Sequence, residues 1–389
     1  MADRPLSRLR EVIGFYARLG FVGFGGPMAH VAMMEREVVE KRAWLSRERF
    51  LDALAATNLV PGPNSTEMAV HIGYLRAGLP GAIGSGSAFV LPAFVMMLGL
   101  SWAYFHWETT PALGDLFYGV KPAVIALILV TAYRLFRAGV GDWRQFRSGA
   151  GDWKLAAIFV ASGGLAYAFP GYELAVLLVA GVIGIVLYGP PPRPRPRSVA
   201  VVALLTASPA LAWDPSTLLD LFLLCLRTGG LLFGGGYVMI PLLQDAVVDR
   251  FGWLSKDQFL DGVALGQSTP GPIVITATFI GYGAAGLAGA AVATVAIFLP
   301  AFFFAVLTSK FIRVFGEVPP VRAALKGIGA AVVGTILAAT ARLAESAFPD
   351  AWAVAIALAA GLALARLRLS SAPLMAAVAV SGLALGALR

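Results

Sequence analysis

Charged residues are scarce in this chain. Of its 389 residues only 13% are charged, whereas soluble globular domains carry about 25%. Hydrophobic residues make up 58% of the chain and its mean hydropathy is +0.78, so most of its surface must face lipid. This composition excludes a soluble globular domain.

Cysteine and histidine are also rare, and the motifs of several enzyme classes are missing. Cys225 is the single cysteine, which excludes a disulfide framework and a cysteine-based metal site. The three histidines lack the spacing of a zinc protease, and no Walker lysine loop binds ATP. The run Gly281-Tyr282-Gly283-Ala284-Ala285-Gly286 matches the dinucleotide fingerprint but has no βαβ context. We therefore expect no enzymatic activity, no cofactor and no bound metal.

The basic residues indicate a membrane topology rather than binding to nucleic acid. The net charge is +8, but the basic residues lie in short loops between apolar runs, which is typical of cytoplasmic loops. Loop 138–154 and the Pro-rich linker 189–198 are both basic, and so is the N-terminus at Arg4, Arg8 and Arg10. All three are expected in the cytoplasm. The N-terminus also lacks the short apolar core of a signal peptide.

One pair of motifs occurs twice in the chain. Phe24-Gly25-Gly26 and Pro61-Gly62-Pro63 recur at Phe233-Gly234-Gly235 and Pro270-Gly271-Pro272 with identical spacing. The offset is 209 residues up to the second Pro-Gly-Pro and 208 after it. The chain is therefore a duplication. The predicted parts are a first repeat over 1–188, a linker over 189–198, an extra crossing over 199–213 and a second repeat over 214–389.

The apolar runs predict an all-α polytopic membrane protein of about 13 spans, and a count from 10 to 13 fits the pattern. The first predicted span runs from Val12 to about Met34 as one segment, interrupted only by Arg18, His30 and the glycines. In each half Pro-Gly-Pro interrupts an apolar stretch and predicts a broken helix, about 46–60 and 63–78 in the first half. In the second half, a capping-box sequence at Ser255 begins the equivalent broken helix.

Loop charges predict that the two halves are inverted. Loop 310–322 is basic where its counterpart is acidic, and loop 345–350 is acidic where its counterpart is basic. Equivalent loops of opposite charge lie on opposite sides of the membrane under the positive-inside rule. The predicted extra crossing over 199–213 then gives the second half the opposite orientation in the membrane. The N-terminus is expected inside and the C-terminus outside.

Inverted repeats with broken helices are typical of transporters. Backbone groups freed at Pro-Gly-Pro must line a buried or water-filled cavity, and helix N-termini that begin at Pro63 and Pro272 favour an anion there. The alternative is a kink filled by helix packing. The candidate site combines the glycines and prolines of both motif pairs with polar side chains beside them. These residues are Gly25, Gly26, Asn58, Pro61, Gly62, Pro63, Asn64, Ser65, Gly234, Gly235, Gln267, Ser268, Thr269, Pro270, Gly271 and Pro272.

Positively charged residues within the spans are further candidates for substrate binding. Arg18 and Arg227 each stand seven residues before a motif glycine, which in a continuous helix puts them on the same face. Their guanidinium groups suit a tetrahedral oxyanion, or else they reach the membrane interface or pair with aspartate. Lys121 has two interpretations as well: it binds the anion, or it extends from the helix end to the membrane interface. Arg134 and Arg342 lie at span ends, where loop anchoring is expected.

Glu67 and His71 are candidates for proton coupling. They lie four residues apart just after Pro-Gly-Pro and share a helix face. The second half has Ile275 and Phe279 at the equivalent positions, so the duplication is asymmetric here. The pair either carries a proton or makes a structural hydrogen bond or a salt bridge with Arg76.

These motifs resemble those of the chromate ion transporter family in its long two-domain form. The resemblance rests on Phe-Gly-Gly-Pro at 24–27, the Trp-Leu-Ser run at 44–46, and the duplicated Pro-Gly-Pro segments at 58–63 and 267–272. It covers nearly the whole chain. It implies a multi-pass protein of the bacterial inner membrane that exports chromate and confers resistance, with sulfate as a competing analogue.

The sequence therefore predicts a secondary active transporter of a tetrahedral oxyanion that works by alternating access. Alternatives are a transporter of sulfate or another oxyanion, a passive anion channel, and an intramembrane scaffold. The expected partners are the oxyanion and the lipid bilayer. Protons and a second copy of the chain are left open.

Overall fold

The computed structural model describes residues 5–57, 60–108, 110–141, 151–190, 217–233, 235–315, 319–367 and 371–387. Within these ranges the chain forms fourteen α-helices and no β-strand. Asn58 and Gly234 of the predicted site lie outside the described residues. So do 191–198 of the linker, the predicted crossing 199–213 and part of loop 138–154.

The described residues of the first half form seven helices. They are α1 (Pro5–Val22), α2 (Gly26–Glu35, which continues as a π-helical turn over Arg36–Lys41), α3 (Arg47–Thr57), α4 (Asn64–Trp107), α5 (Pro111–Gly139), α6 (Trp153–Ala168) and α7 (Glu173–Tyr188).

The second half repeats this order. Its helices are α8 (Thr217–Gly229), α9 (Met239–Gln244, after a 3-10 turn over Gly236–Val238 and before a π-helical turn over Asp245–Arg250), α10 (Lys256–Ser268), α11 (Thr276–Phe315, after a 3-10 turn over Ile273–Ile275), α12 (Pro319–Ala347), α13 (Ala351–Leu362, which continues as a π-helical turn over Ala363–Leu367) and α14 (Ser371–Gly386).

The predicted first span is wrong, because the chain breaks at the Phe-Gly-Gly motif. Helix α1 ends at Val22 and α2 begins at Gly26. Gly25 caps α2 with a φ of +109°, a left-handed conformation that favours glycine, and a proline follows in the first turn. Arg18 therefore does not share a helix with Gly25, and the argument from a common face fails.

The breaks at both Pro-Gly-Pro motifs are confirmed. Helix α3 ends at Thr57 and α4 begins at Asn64 with Pro63 as its N-cap. In the second half Pro272 caps the 3-10 turn that leads into α11. The predicted capping box is also present at Ser255, whose Oγ accepts from the Gln258 amide at 3.1 Å.

Four helices are long and apolar enough to cross a membrane. Among the described residues these segments are Asn64–Trp107, Pro111–Gly139, Ile273–Ser309 and Pro319–Ala347, and four shorter apolar helices accompany them. Helix α4 is kinked at Ala77 and Gly78, where the backbone leaves helical geometry. The structure is therefore an all-helical membrane protein, and the count of 13 spans stays a prediction.

Helices α4 and α11, which are equivalent in the duplication, pack in opposite directions. Near the start of α4, His71 Nδ1 lies 3.0 Å from Ser309 Oγ near the end of α11. Near the end of α4, the ring of Phe105 stacks on Phe279 and Tyr282 at the start of α11. These contacts make α4 and α11 an antiparallel pair.

The same opposition holds for α5 and α12. The start of α10 contacts both of them through two neighbouring residues. Lys121, early in α5, pairs with Asp257 at 2.5 Å, whereas Glu345, late in α12, pairs with Lys256 at 3.4 Å. The beginning of α5 therefore lies at the same end of the bundle as the end of α12.

The halves exchange their last two helices. Helix α5 packs against α13 and α14, and α12 packs against α6 and α7. Glycine pairs allow this close approach, because a Cβ at Gly119 would overlap the backbone at Gly382 and one at Gly327 would overlap the backbone at Gly184. The two pairs are equivalent in the duplication, so the exchange is reciprocal.

A second reciprocal contact joins the broken segments. The Gly62 amide donates to the Leu232 carbonyl at 3.3 Å, and the Gly271 amide donates to the Gly23 carbonyl at 2.9 Å. The two bonds are equivalent, because Gly271 corresponds to Gly62 and Leu232 to Gly23 at the offset of 209 residues. Each Pro-Gly-Pro turn is therefore satisfied by the Phe-Gly-Gly loop of the opposite half.

The exchanged packing predicts a stability difference between two glycines of α12. Gly327→Ala places a methyl group against the Ala180 carbonyl and should destabilise the fold by about 1–3 kcal/mol. Gly329→Ala meets no atom within 4 Å and gains helix propensity, so it should be neutral or stabilising. Thermal unfolding of both variants in detergent tests this. Equal midpoints would contradict the close contact.

Candidate functional site

A small cavity lies where the two halves meet. Its volume is about 100 Å³, well below the 300–1,000 Å³ of pockets for organic ligands, so it suits a small solute. Loop, helix and Pro-Gly-Pro residues from both halves form its wall. They are Gly23, Phe24, Gly25, Gly26, Leu127, Thr131, Arg134, Tyr237, Gly266, Gln267, Thr269, Gly271, Ile273, Leu364 and Ser371.

Backbone groups form one side of the cavity. Gly25 and Gly26 both have positive φ, at +109° and +77°, and bring the N-terminus of α2 to the wall. The first amides of a helix have no intrahelical acceptor and carry the positive end of its dipole. Gly271 of the second Pro-Gly-Pro turn lies beside them through its bond to Gly23. This side of the cavity therefore favours an anion.

Gln267 provides a directed donor. It is only 4% exposed, and its Nε2 has no hydrogen-bond partner among the described residues. Its Oε1 accepts from the Tyr237 hydroxyl at 3.1 Å, and the same hydroxyl is hydrogen bonded to Thr131. This chain of bonds fixes the amide, so Nε2 is left to bind a ligand. A buried donor without a partner is costly unless something occupies the cavity.

Arg134 carries the charge of the site. It lies near the end of α5, and its Nη2 donates to the Leu364 carbonyl at 2.7 Å. Among the described residues that line the cavity it is the one charged side chain. Its guanidinium has five donors, so the bond to Leu364 leaves others for a ligand. One cation, one amide donor and helix N-terminal amides make a site for a small oxyanion.

The equivalent arginine of the second half is in a different environment. Arg342 donates to the Ala166 carbonyl at 2.8 Å, just as Arg134 donates to Leu364. Its Nη2 also pairs with Glu173 at 3.3 Å and with Asp245 at 3.1 Å. Arg342 is therefore neutralised within the protein.

Five of the predicted site residues meet at the cavity. They are Gly25, Gly26, Gln267, Thr269 and Gly271. The remaining described candidates do not line it. They are Arg18, Pro61, Gly62, Pro63, Asn64, Ser65, Lys121, Arg227, Gly235, Ser268, Pro270 and Pro272. Two of the side chains are engaged elsewhere, since Ser268 Oγ donates to Ala264 and Lys121 pairs with carboxylates.

The predicted arginine pair lies away from this cavity. Arg18 is exposed on α1, whereas Arg227 lines a separate cavity of about 350 Å³ together with Glu173 and Asp245. Lys121 pairs with Asp257 at 2.5 Å and lies 3.7 Å from Asp261. A role of these three cations in substrate binding stays a prediction.

The proton-coupling candidates differ in their partners. His71 Nδ1 lies 3.0 Å from Ser309 Oγ, so the imidazole joins α4 to α11. Glu67 is fully buried, and neither carboxyl oxygen has a hydrogen-bond partner among the described residues. Its carboxyl group lies directly against Gly62, where a Cβ would overlap it. Arg76, the predicted alternative partner of this pair, forms a salt bridge with Glu11 at 3.2 Å.

Sequence reasoning missed Arg134 and Tyr237 as site residues. The position of Arg134 at a span end indicated loop anchoring. One signal was available, since Arg134 and Arg342 are equivalent in the duplication, and a charge kept in both halves of a membrane protein needs a reason. Tyr237 has Met28 as its counterpart and carries no signal in the repeat.

Comparisons with known proteins agree with the transporter interpretation. A family model described as "Chromate transporter" matches residues 10–185 and 219–385, which are the two halves. No solved structure matches the chain.

Curated relatives extend over most of the chain. A chromate transport protein of Cupriavidus metallidurans is 34% identical over 378 residues, which cover 96% of this chain and 92% of the relative. One of Pseudomonas aeruginosa is 36% identical over 354 residues, 88% of this chain and 82% of the relative. A probable chromate transport protein of Synechococcus elongatus is 32% identical over 352 residues, 89% and 87% respectively. The resemblance drawn from the motifs is thus confirmed, and the chain belongs to the chromate transporter family, a family of transporters rather than enzymes.

Proposed function

We propose that this protein is a secondary active transporter that exports chromate across the bacterial inner membrane and thereby confers chromate resistance. Its relatives from Cupriavidus metallidurans and Pseudomonas aeruginosa are chromate transport proteins, which supports chromate as the substrate. Sulfate has the same tetrahedral shape and charge and competes for the site. Transport follows alternating access, in which one half rocks against the other around the site.

The observation that carries this proposal is the composition of the cavity between the halves. Arg134 supplies several donors and Gln267 a fixed donor, while none of the described residues in the wall carries a carboxylate. A dianion would gain two charge-assisted hydrogen bonds there without repulsion. The position at the junction of both halves is where a rocking motion would alter access.

We also propose that the halves form an inverted repeat with thirteen spans. The antiparallel packing of α4 with α11 supports this, because equivalent helices that cross a membrane in opposite directions belong to inverted halves. The ends of α5 and α7 and the start of α12 adjoin basic loops, so this end of the bundle is the cytoplasmic one. The N-terminus is then inside and the C-terminus outside.

The membrane potential assists export of a dianion. An inside-negative potential lowers the free energy of outward movement by about 2.3 kcal/mol per charge for each 100 mV. Chromate carries two charges, so the potential alone is a substantial driving force. A passive channel would use the same force, but the small cavity and its directed donors suit a saturable carrier better.

Proton coupling belongs to Glu67 rather than His71. The buried ionisable residues of helices packed against α4 are Tyr16, His30 and Asp261, and none is hydrogen bonded to Glu67. A carboxylate left ionised in such a place is very costly, so the group is stable there in its protonated form. Its contact with Gly62 reaches the opposite half through the bond to Leu232, five residues before Tyr237 of the cavity.

The proposed site predicts that replacing Arg134 strongly lowers chromate transport. In inside-out vesicles, Arg134→Ala should lower chromate uptake at limiting concentration by about ten- to hundredfold, since a hydrogen bond to a charged group contributes about 1.5–3 kcal/mol. Gln267→Glu should abolish uptake, because it places a carboxylate beside the dianion. Arg366→Ala removes an exposed charge near the same end of the bundle and is the control. Unimpaired uptake by Arg134→Ala would remove this cavity from the pathway.

The inverted repeat predicts opposite labelling of two equivalent positions. In a Cys225→Ala background, Ala138→Cys at the end of α5 and Ser346→Cys at the end of α12 are 208 residues apart. An impermeant maleimide should label Ser346→Cys in intact cells and Ala138→Cys only in inside-out vesicles. Labelling of both from the same side would show that the halves are parallel.

The buried carboxyl group of Glu67, which has no hydrogen-bond partner among the described residues, predicts which variant uncouples transport from protons. Glu67→Gln keeps the shape of the protonated side chain, so it should still move chromate but no longer respond to an imposed proton gradient. His71→Gln should keep that response. Chromate uptake is measured in proteoliposomes with and without the gradient at fixed membrane potential. A wild-type response retained by Glu67→Gln would exclude Glu67 as the proton carrier.

A further inference from the structure

We propose that Glu173 and Asp245 act as tethered anions that fill the counterpart of the substrate site around Arg342, so that the protein binds its substrate at Arg134 alone. This inference rests on the proposed function of the Arg134 cavity. It concerns the Arg342 end of the bundle. There the backbone arrangement found around Arg134 is repeated, but the surrounding side chains differ in charge.

The backbone setting of the two arginines is the same. Arg134 and Arg342 are equivalent residues of α5 and α12, the helices that exchange partners between the halves. Arg134 donates to Leu364 at 2.7 Å and Arg342 donates to Ala166 at 2.8 Å. Leu364 and Ala166 are themselves equivalent, since α13 starts 198 residues after α6 and α14 starts 198 residues after α7. The scaffold therefore offers two matching guanidinium positions.

The side chains around the two guanidinium groups differ in charge. Arg342 pairs with Glu173 and Asp245 at 3.3 and 3.1 Å. The residues equivalent to these acids are Ser371, which lines the Arg134 cavity, and Arg36. Arg342 thus has two carboxylates around it, whereas the equivalent sequence positions on the Arg134 side hold a hydroxyl and an exposed cation.

The two carboxylates are held in place as a bound oxyanion would be. Glu173 is 4% exposed and Asp245 is 6% exposed. The Gly171 amide donates to Asp245 Oδ2 at 2.5 Å and approaches Glu173 Oε1 at 3.4 Å, while Arg342 approaches both from the other side. A backbone amide and a guanidinium converging on anionic oxygens is the same donor set that the Arg134 cavity offers a free ligand.

Tethering makes these carboxylates strong competitors. Groups attached to the same protein act at an effective concentration in the millimolar range or above, so a free anion at lower concentration does not displace them. The Arg342 end of the bundle is the one that carries the acidic 345–350 loop. A substrate ion that leaves on this side therefore meets no vacant guanidinium that would rebind it.

The two carboxylates that pair with Arg342 are already accessible from a cavity. The cavity of about 350 Å³ lined by Arg227 also has Glu173 and Asp245 in its wall, so a small ion can reach these carboxylates. Their oxygens lie 3.3 and 3.1 Å from the Arg342 guanidinium, so a free anion can bind it only by displacing them. A guanidinium holds a neutral amide more weakly than a carboxylate, so isosteric amides should let the free anion displace them.

Equilibrium dialysis of purified protein with radiolabelled chromate tests the inference. Wild-type protein should bind a single chromate ion, which Arg134→Ala abolishes. Glu173→Gln combined with Asp245→Asn should bind a second ion, and adding Arg134→Ala should leave that second ion bound. Adding Arg342→Gln instead should return the double variant to a single ion. The isosteric amides still accept from Gly171, and thermal unfolding checks that the fold is kept.

The outcomes separate the two proposals. If wild-type protein binds no chromate, or if Arg134→Ala still binds it, the proposed substrate site is wrong. If wild type and Arg134→Ala behave as expected but the double variant still binds a single ion, the tethered-anion inference alone is overturned. Should the double variant fail to fold, Asp245→Asn alone is used, since it removes the carboxylate closer to Arg342. It should bind a second ion with lower affinity, and a single ion would overturn the inference equally.

Discussion

The backbone polar groups released at the two Pro-Gly-Pro breaks impose the constraint on which the rest of this structure depends. Lipid offers them no hydrogen-bond partner, so they must be satisfied within the protein. Each break finds its acceptor in the opposite half, with Gly62 bonded to Leu232 and Gly271 bonded to Gly23. Neither half can therefore complete its own fold. The site arises at this junction because irregular backbone is tolerated only where protein or water surrounds it.

The exchange of terminal helices strengthens the same junction. Since α5 packs on α13 and α14 while α12 packs on α6 and α7, each half is built around a helix of the other. Glycine pairs such as Gly119 with Gly382 let the helices approach until their backbones touch. Rigid, closely packed helices fix the position of Arg134 on α5 and of Leu364 on α13. The guanidinium is thereby held at the cavity wall before any ligand arrives, which lowers the cost of binding.

Local signals made the duplication, the proline breaks and the capping box at Ser255 predictable from the sequence. The first span was predicted wrongly because apolar residues run through Gly25, and hydropathy does not register a left-handed glycine. Gln267 was predicted because it lies beside a proline break. Arg134 was not, because its role depends on Tyr237 and Leu364, which lie more than 100 residues away along the chain. No periodicity reveals that helices are exchanged between halves, so the partners of α5 were beyond sequence reasoning.

The two halves differ in chemistry because the side chains around Arg134 and Arg342 are not equivalent, although the backbone around them is. Two arginines in the same backbone setting would bind an oxyanion equally well on both sides of the membrane. Electrochemical gradients set the direction of net transport, and affinities cannot reverse it. Under the proposed export mechanism, unequal sites change the rate on each side of the membrane. Carboxylates at Arg342 then weaken binding where the ion leaves, while Arg134 keeps binding where it enters. In that mechanism Glu173 and Asp245 speed release without altering the equilibrium, because they already satisfy the second guanidinium.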